Sequence, residues 1–390
     1  MIQADRLIVS NTRLNDAFVD ITVGEGIIRK IEPHSPTPPH NSAGVQVVNG
    51  GGRTAFPGLA NMHSHAPMTL FRGLGDDQPL DVWLHDYIWP AEQGLTDSLV
   101  YDATLRACHE MLASGTTFFN DMYFRLPAMA RAVQESGIRA RLGLTVFGDA
   151  EELLDPDTLD LLTQRTPNLE FSIAPHSVYT VSPTGLRRCA TTASQLGLKL
   201  HIHMSETRKE VDDCMAAHGC RPWELLDSLG VLDLMGADII AAHCLHLSDH
   251  EIELIGRHHI TCVHCPASNL KLGSGVRFPM QELLDAGAAV RIGTDGSASS
   301  NNLDMLEASK LAALLQKGWR EDPTAAPAAQ IFDMATAARR IAPGEPADFF
   351  LIDLNSASPA PHPALSDLLY ATHGDQVAAT FVAGHLVYKR

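Results

Sequence analysis

Basic residues are scarce in this chain. Lysine and arginine number 29 against 46 aspartates and glutamates, a formal net charge of −17. A surface of that sign repels a phosphate backbone and an anionic lipid face, so neither a nucleic-acid polymer nor a membrane is an expected partner. Long apolar runs are missing too: no stretch reaches the roughly 18 residues that a membrane span needs. Met1-Ile2-Gln3-Ala4-Asp5 also lacks the basic-then-apolar layout of a secretory signal. A soluble, cytoplasmic protein is the expectation. Paired cysteine is the third absence. The 7 cysteines (Cys108, Cys189, Cys214, Cys220, Cys244, Cys262, Cys265) are odd in number and scattered, which reads as free thiols rather than a disulfide framework. Cys262 and Cys265 make a C-x-x-C, yet they lie within and just after an apolar strand, where an offset of three turns the sulfurs to opposite faces. We assign that pair no redox or zinc role.

Apolar surface is plentiful. Hydrophobic residues are 45% and charged ones 19% of 390 residues, enough for one large barrel with a smaller appendage. The first 55 residues read as short strands, with Gly24-Glu25-Gly26 as a hairpin turn and a proline-rich loop from Pro33 to Asn41. From Ala55 onward, short apolar strands alternate with longer helical patterns, the signature of βα units on a parallel sheet. Eight candidate strands follow: Ala55–Met62, Thr116–Asn120, Ile138–Phe147, Leu169–Ala174, Leu198–His203, Asp238–His243, Ile260–His264 and Ala288–Thr294. The expected helices are Asp97–Ala113, Ala128–Ser136, Pro183–Leu196, Arg221–Leu229, Asp249–Arg257 and Pro279–Ala286. After about Ala342 the pattern returns to strands. The expected architecture is an α/β fold: a (β/α)8 TIM-type barrel over residues 56–342, beside a small β-sandwich that residues 1–55 and 343–390 build together.

In such a barrel, chemistry belongs to the C-terminal ends of the strands. The polar residues fall there: His63 and His65 after the first strand, His176 after the fourth, His203 and Glu206 after the fifth, His243 after the sixth and Asp295 after the eighth. His63 and His65, two residues apart in an extended segment, can turn their rings to one side. One strand-end histidine is most simply structural; five strand ends so furnished point to a metal site. Three neutral imidazoles and a carboxylate suit zinc or ferrous iron with a position left for water, whose pKa falls from 15.7 toward roughly 7. Glu206 is placed to carry protons, and His243 to orient or deprotonate the water.

Five segments carry a resemblance: Pro57-Gly58-Leu59-Ala60-Asn61-Met62-His63-Ser64-His65, His201-Ile202-His203-Met204-Ser205-Glu206-Thr207, Ala242-His243-Cys244, Pro266-Ala267-Ser268-Asn269-Leu270-Lys271-Leu272-Gly273 and Gly293-Thr294-Asp295-Gly296. Together they resemble the amidohydrolase superfamily. The nearest branch is the adenosine-type deaminases acting on S-adenosylhomocysteine and 5′-methylthioadenosine, alongside triazine hydrolases. The resemblance implies a metal-dependent deaminase with His63, His65, His203 and Asp295 as metal ligands, Glu206 as proton shuttle and His243 as partner of the attacking water. The family pattern H-x-x-E selects His203 over His201, which is left to the core or to a supporting role. The fourth strand, Phe171 to His176, has no lysine of the kind that bridges two ions in other members, which implies one divalent ion, Zn2+ first and Fe2+ second. Glu92, in Ile88-Trp89-Pro90-Ala91-Glu92, is similar to a glutamate that holds ribose hydroxyls, and His176 to a ligand-contacting histidine. A homo-oligomer is common in the family and is expected here.

Two departures qualify what the resemblance implies. Leu144 to Glu152 carries three acids and no arginine, where a homocysteine carboxylate would call for a cation. Adenosine, methylthioadenosine and 5′-deoxyadenosine are therefore expected on an equal footing with S-adenosylhomocysteine. Guanine, a pterin or a triazine is the alternative substrate, and a non-catalytic barrel scaffold the remote one. The link from Met334-Ala335-Thr336 to Gly344-Glu345-Pro346-Ala347-Asp348 is also shorter than the family usually has.

Overall fold

The computed structural model describes residues 6–354 and 364–390, apart from positions 36, 38, 40 and 43. Met1–Asp5 and three positions of the proline-rich loop thus lie outside the described residues. The chain begins with strands β1 (Arg6–Leu14), β2 (Ala17–Gly24), β3 (Ile27–Pro33), β4 (Val45–Asn49) and β5 (Thr54–Pro57). The turn between β2 and β3 has Glu25 and Gly26 at φ +54° and +74°, the pair of positive angles that a two-residue hairpin requires.

The barrel runs through β6 (Leu59–Ser64), β7 (Thr116–Tyr123), β8 (Arg139–Val146), β9 (Leu169–Pro175), β10 (Lys199–Met204), β11 (Ile239–His243), β12 (Thr261–His264) and β13 (Ala289–Ile292). Each pairs in parallel with the next. Helices stand between them, several on the expected bounds: Asp97–Ala113, Pro183–Leu196 and Asp249–Arg257. Thr96, Ser182 and Ser248 cap these three by accepting from a backbone N–H three residues on. The last strand returns to the first without a regular ladder. Instead, Asn61 in β6 clamps Thr294, accepting from its backbone N–H at 3.0 Å and donating to its hydroxyl at 2.7 Å, and Asp295 N donates to the His63 carbonyl at 2.9 Å. That closure brings the eighth strand end against the first.

The chain finishes with β14 (Phe349–Ile352), β15 (Val377–Val382) and β16 (His385–Lys389). They join the opening strands in one mixed sheet ordered β16-β15-β14-β5-β1-β2-β3, with β4 also pairing β1. Its core holds Val9, Ile21, Ile28, Phe349 and Phe381, separate from the barrel's. The sheet is tied to the barrel by Arg139, whose Nε donates to Asp348 Oδ2 at 2.7 Å.

The strand expected from Ala55 to Met62 is two. Thr54–Pro57 pairs with β14 in the terminal sheet, while Leu59–Ser64 enters the barrel. Gly58 is the joint, and it lies so close to β7 that an added Cβ would fall 2.1 Å from Thr117 Oγ1. Further helices stand at Pro156–Thr163, Arg208–His218, Pro266–Lys271, Met305–Arg320 and Ala328–Ala335, beyond those expected.

Gly58→Ala therefore has to push β6 and β7 apart. We expect a loss of about 1–3 kcal/mol, the usual cost of overpacking, read as a lower urea midpoint at fixed metal concentration. An unchanged midpoint would show that the two strands separate freely.

Candidate metal centre and cleft

Four side chains meet at the C-terminal mouth of the barrel. Asp295 Oδ1 lies 3.3 Å from His63 Nε2 and 3.1 Å from His65 Nε2, and His65 Nε2 lies 3.3 Å from His203 Nε2. The far sides of the rings explain which nitrogens face inward. His65 Nδ1 donates to the Met122 carbonyl at 2.7 Å and His203 Nδ1 to the His176 carbonyl at 2.8 Å. A nitrogen facing a carbonyl oxygen carries the proton, so in each neutral ring Nε2 turns a lone pair to the centre. Burial holds His203 well below the ordinary imidazole value, which keeps it neutral. Two lone pairs 3.3 Å apart repel, and His63 Nε2 is buried with no hydrogen-bond partner. A cation at the centre turns both liabilities into bonds. Burial pulls His65 down, but the hydrogen bond and charge of Asp295 outweigh it and raise its pKa to about 9. The charge that would keep a proton there also favours a divalent ion. The residues present thus fit the expected group.

His201 proves to be part of this arrangement. Its Nε2 lies 2.9 Å from His63 Nδ1, and its Nδ1 2.9 Å from the Asn120 amide. Burial holds His201 well below its ordinary value, so it is neutral and offers one acceptor nitrogen. In the tautomer with its proton on Nδ1, which has the Asp121 backbone carbonyl as acceptor, His201 Nε2 accepts from His63 Nδ1–H and leaves His63 Nε2 free to ligate. Asp121 braces the same strand end, accepting from Ser64 Oγ at 2.8 Å and Ala66 N at 2.6 Å. Asp295 is oriented by Ser268 Oγ at 2.6 Å and Gly296 N at 2.8 Å.

Glu206 and His243 face each other across the centre, with His243 Nε2 3.8 Å from Glu206 Oε2. His243 Nδ1 donates to Asn269 Oδ1 at 2.8 Å, leaving Nε2 for the cleft, and Ser274 Oγ donates to Glu206 Oε1 at 3.1 Å. The backbone that presents Glu206 is held from behind: Glu210, buried, accepts from Ser205 N and Glu206 N at 2.7 Å each. Ser205, His243 and Asp295 all have positive φ, at +50°, +72° and +64°.

The cleft above the centre holds about 610 Å³, counting its open mouth. His65, His203, Glu206, His243, Asp295, Glu92 and His176 all line it. The chain from Ala66 to Glu92 roofs it, with a π-helical turn at Trp83–Ile88 leading into Trp89–Glu92. Glu92 Oε1 accepts from Tyr123 Oη at 2.7 Å, which leaves its other oxygen for a ligand. Burial raises the Glu92 carboxyl above its ordinary value. His176 stacks on Phe147, centroids 5.1 Å apart, and burial lowers it to about 3, so it is neutral. No lysine or arginine lines the cleft among the described residues.

The expected site residues therefore come together. Sequence reasoning missed Tyr123, Glu210, Ser274 and Phe147, and gave no role to Ser268 and Asn269, although both stand in a quoted motif. Tyr123 ends the second barrel strand, a position that the strand-end rule covers.

A parallel barrel with such a rim defines a metal-dependent hydrolase architecture. The chain belongs to the amidohydrolase family, whose pattern it matches over residues 54–387. It is 42% identical to a 5′-deoxyadenosine deaminase of Methanoregula boonei, over 89% of this chain and 82% of that one. It is 38% identical to a 5-methylthioadenosine/S-adenosylhomocysteine deaminase of Pelotomaculum thermopropionicum, over 95% and 88%. Among solved structures, an adenosine deaminase from Xanthomonas campestris with bound zinc superposes with a TM-score of 0.87 at 33% identity, covering 98% of this chain and 92% of that one.

Removing the acceptor behind His63 tests the arrangement. His201→Ala should weaken zinc binding by roughly 10- to 100-fold, the usual effect of losing a partner behind a ligand, measured by competition with a chromophoric chelator. Unaltered affinity would reduce His201 to packing.

Proposed function

We propose that this protein is a metal-dependent aminohydrolase that removes the 6-amino group from the adenine ring of adenosine or a 5′-substituted adenosine, giving the inosine derivative and ammonia. The observation that carries this reading is the convergence of His63, His65, His203 and Asp295 on one point, with Glu206 and His243 on the cleft side and Glu92 across from them. In the proposal those first four hold one divalent ion, zinc before iron(II). When bound, the ion supplies a water acidified to a pKa of about 7.

The protein's own groups do the rest. Glu206 takes the proton from the attacking water and passes it to ring N1, which makes C6 electrophilic. His243, its Nδ1–H given to Asn269, accepts from the attacking water through Nε2 and so orients it. As C6 becomes tetrahedral, Glu206 takes the proton that remains on the added oxygen and delivers it to the amino group; the C–N bond breaks, ammonia leaves and the oxygen becomes the C6 carbonyl. Glu92 accepts from the ribose hydroxyls with the oxygen that Tyr123 leaves free. His176, stacked on Phe147, forms part of the ligand wall.

The lining without lysine or arginine favours a neutral 5′-substituent over a homocysteine carboxylate. Methylthioadenosine, 5′-deoxyadenosine and adenosine are accordingly the leading substrates, and the deaminase names of the relatives support the class. A homo-oligomer and a cytoplasmic location belong to the proposal through the family resemblance; no described helix is long and apolar enough to cross a membrane.

Ammonia release across adenosine, methylthioadenosine, 5′-deoxyadenosine, S-adenosylhomocysteine, guanine and a pterin tests the reading. We expect the first three to lead, and guanine or the pterin leading would overturn it. Glu206→Gln should lower kcat by about 10²–10⁴-fold at unchanged metal content; a smaller loss would remove Glu206 from proton transfer. Glu92 binds as the anion, and burial raises its pKa, so KM should climb on acidification at a higher pH than an ordinary glutamate would give. Glu92→Gln should raise KM at neutral pH and flatten that climb; an unaltered KM profile would exclude ribose binding by Glu92.

A further inference from the structure

The barrel's opposite mouth holds a second cavity, larger than the cleft. It encloses about 1060 Å³, counting its open mouth, against about 610 Å³ for the catalytic side. Arg139, Arg141, Arg339 and Arg340 line it, facing Glu170, Glu345 and Asp348. Four guanidinium groups in one hollow run against the composition of a chain with a net charge of −17.

Three of the four are matched. Arg139 is bound to Asp348 at 2.7 Å, Arg141 to Glu170 at 2.6 Å, and Arg340 to Asp333 at 3.0 Å. Arg339 makes no ion pair among the described residues. Its Nη1 donates to Thr117 Oγ1 at 3.1 Å, and its guanidinium carbon lies 5.2 Å from the centre of the Phe118 ring. Arg141 approaches the same ring at 5.8 Å, so two cations share one aromatic surface beside Met62 and Pro167. Half-buried, Arg339 is pulled below the ordinary arginine value by desolvation, which the charge of Asp348, not in direct ion contact, offsets only in part and which neighbouring Arg139 reinforces. Such a group costs free energy unless an anion answers it.

The link that carries Arg339 follows the helix Ala328–Ala335 and forms no helix or strand before Phe349. Ala337 and Ala338 both hold positive φ, +50° and +59°. Two successive non-glycine residues in that region are strained, and a strained turn persists where surrounding contacts require it. Here it delivers Arg339 to the floor of the barrel.

From this we infer that the N-terminal mouth of the barrel binds a small oxyanion, a phosphate or a carboxylate group, against Arg339 and Arg141, with any apolar body of the ligand on Phe118. A planar guanidinium pairs with either kind of anion through two parallel hydrogen bonds. This site is separate from the deaminase cleft and does not rest on the reaction proposed for it.

The probes are inorganic phosphate and, in a second arm, succinate, each titrated to low millimolar against sodium chloride of equal ionic strength, with thermal unfolding of the metal-loaded protein as readout. We expect the unfolding midpoint to rise with at least one probe beyond the chloride control, and Arg339→Gln to abolish that excess while Arg339→Lys keeps part of it. A response to phosphate alone assigns a phosphate ligand, and to succinate alone a carboxylate. Should Arg339→Gln fail to fold, Arg141→Gln takes its place with the same expectation. No excess over chloride with either probe, or an equal excess in the glutamine variant, overturns the inference.

Discussion

Mutual repulsion at one point organises the upper half of this molecule. Asp295 lies 3.3 Å from His63 and 3.1 Å from His65, and His65 lies 3.3 Å from His203, and nothing in the apolar barrel would gather such groups spontaneously. What gathers them is the backbone: carbonyls of Met122 and His176 fix two rings, and His201 fixes the third. Each of those anchors is itself placed by the parallel sheet. The folding energy of the barrel thus goes into holding a set of groups that one cation at the centre would satisfy together.

The cleft side is held by a different device. Ser205, His243 and Asp295 stand at strand ends in left-handed backbone conformations, each costing on the order of 1–3 kcal/mol for a non-glycine residue. The compensation lies in contacts behind the site. Glu210 clamps the two amides around Ser205, Asn269 receives the His243 ring, and the Asn61–Thr294 clamp presses the last strand against the first. Strain at the rim and satisfied hydrogen bonds beneath it are one construction, and it aims Glu206 and His243 at a common space.

The sequence made the scaffold and the reacting groups readable for a physical reason. Buried parallel strands must be short, apolar and bounded by turn residues, so Leu169–Pro175 or Ile239–His243 stand out, and polar residues at their ends are conspicuous. The small terminal sheet was visible by alternation, but the division at Gly58 was not, because Thr54–Pro57 and Leu59–Ser64 form one apolar run and only the third dimension assigns them to different sheets. For His201 the motif leaves the choice between core and supporting role open, because spacing cannot distinguish a packing residue from one that sets a ligand's tautomer. Tyr123 was missed because a tyrosine at a strand end carries no titration signature. Helix Met305–Arg320 carries the same kind of side-chain cap, from Asp304, as the expected helices Asp97–Ala113 and Pro183–Leu196.

The two mouths of the barrel show how one composition serves two opposite electrostatic purposes. Above, acids and neutral imidazoles converge in a hollow that lacks lysine and arginine, a field suited to a metal ion and an uncharged nucleoside. Below, arginines on β8 and on the link before β14 converge over Phe118. Between the two, Arg141 stands beside Asn120 in the β7–β8 register, and Asn120 and His63 each lie 2.9 Å from a ring nitrogen of His201. Burial first, then the neighbouring His63 and His65, keep His201 unprotonated, with a lesser push from the Arg141 guanidinium. The buried interior beneath the rim therefore keeps His201 neutral, and residues there are constrained by the site above as well as by packing.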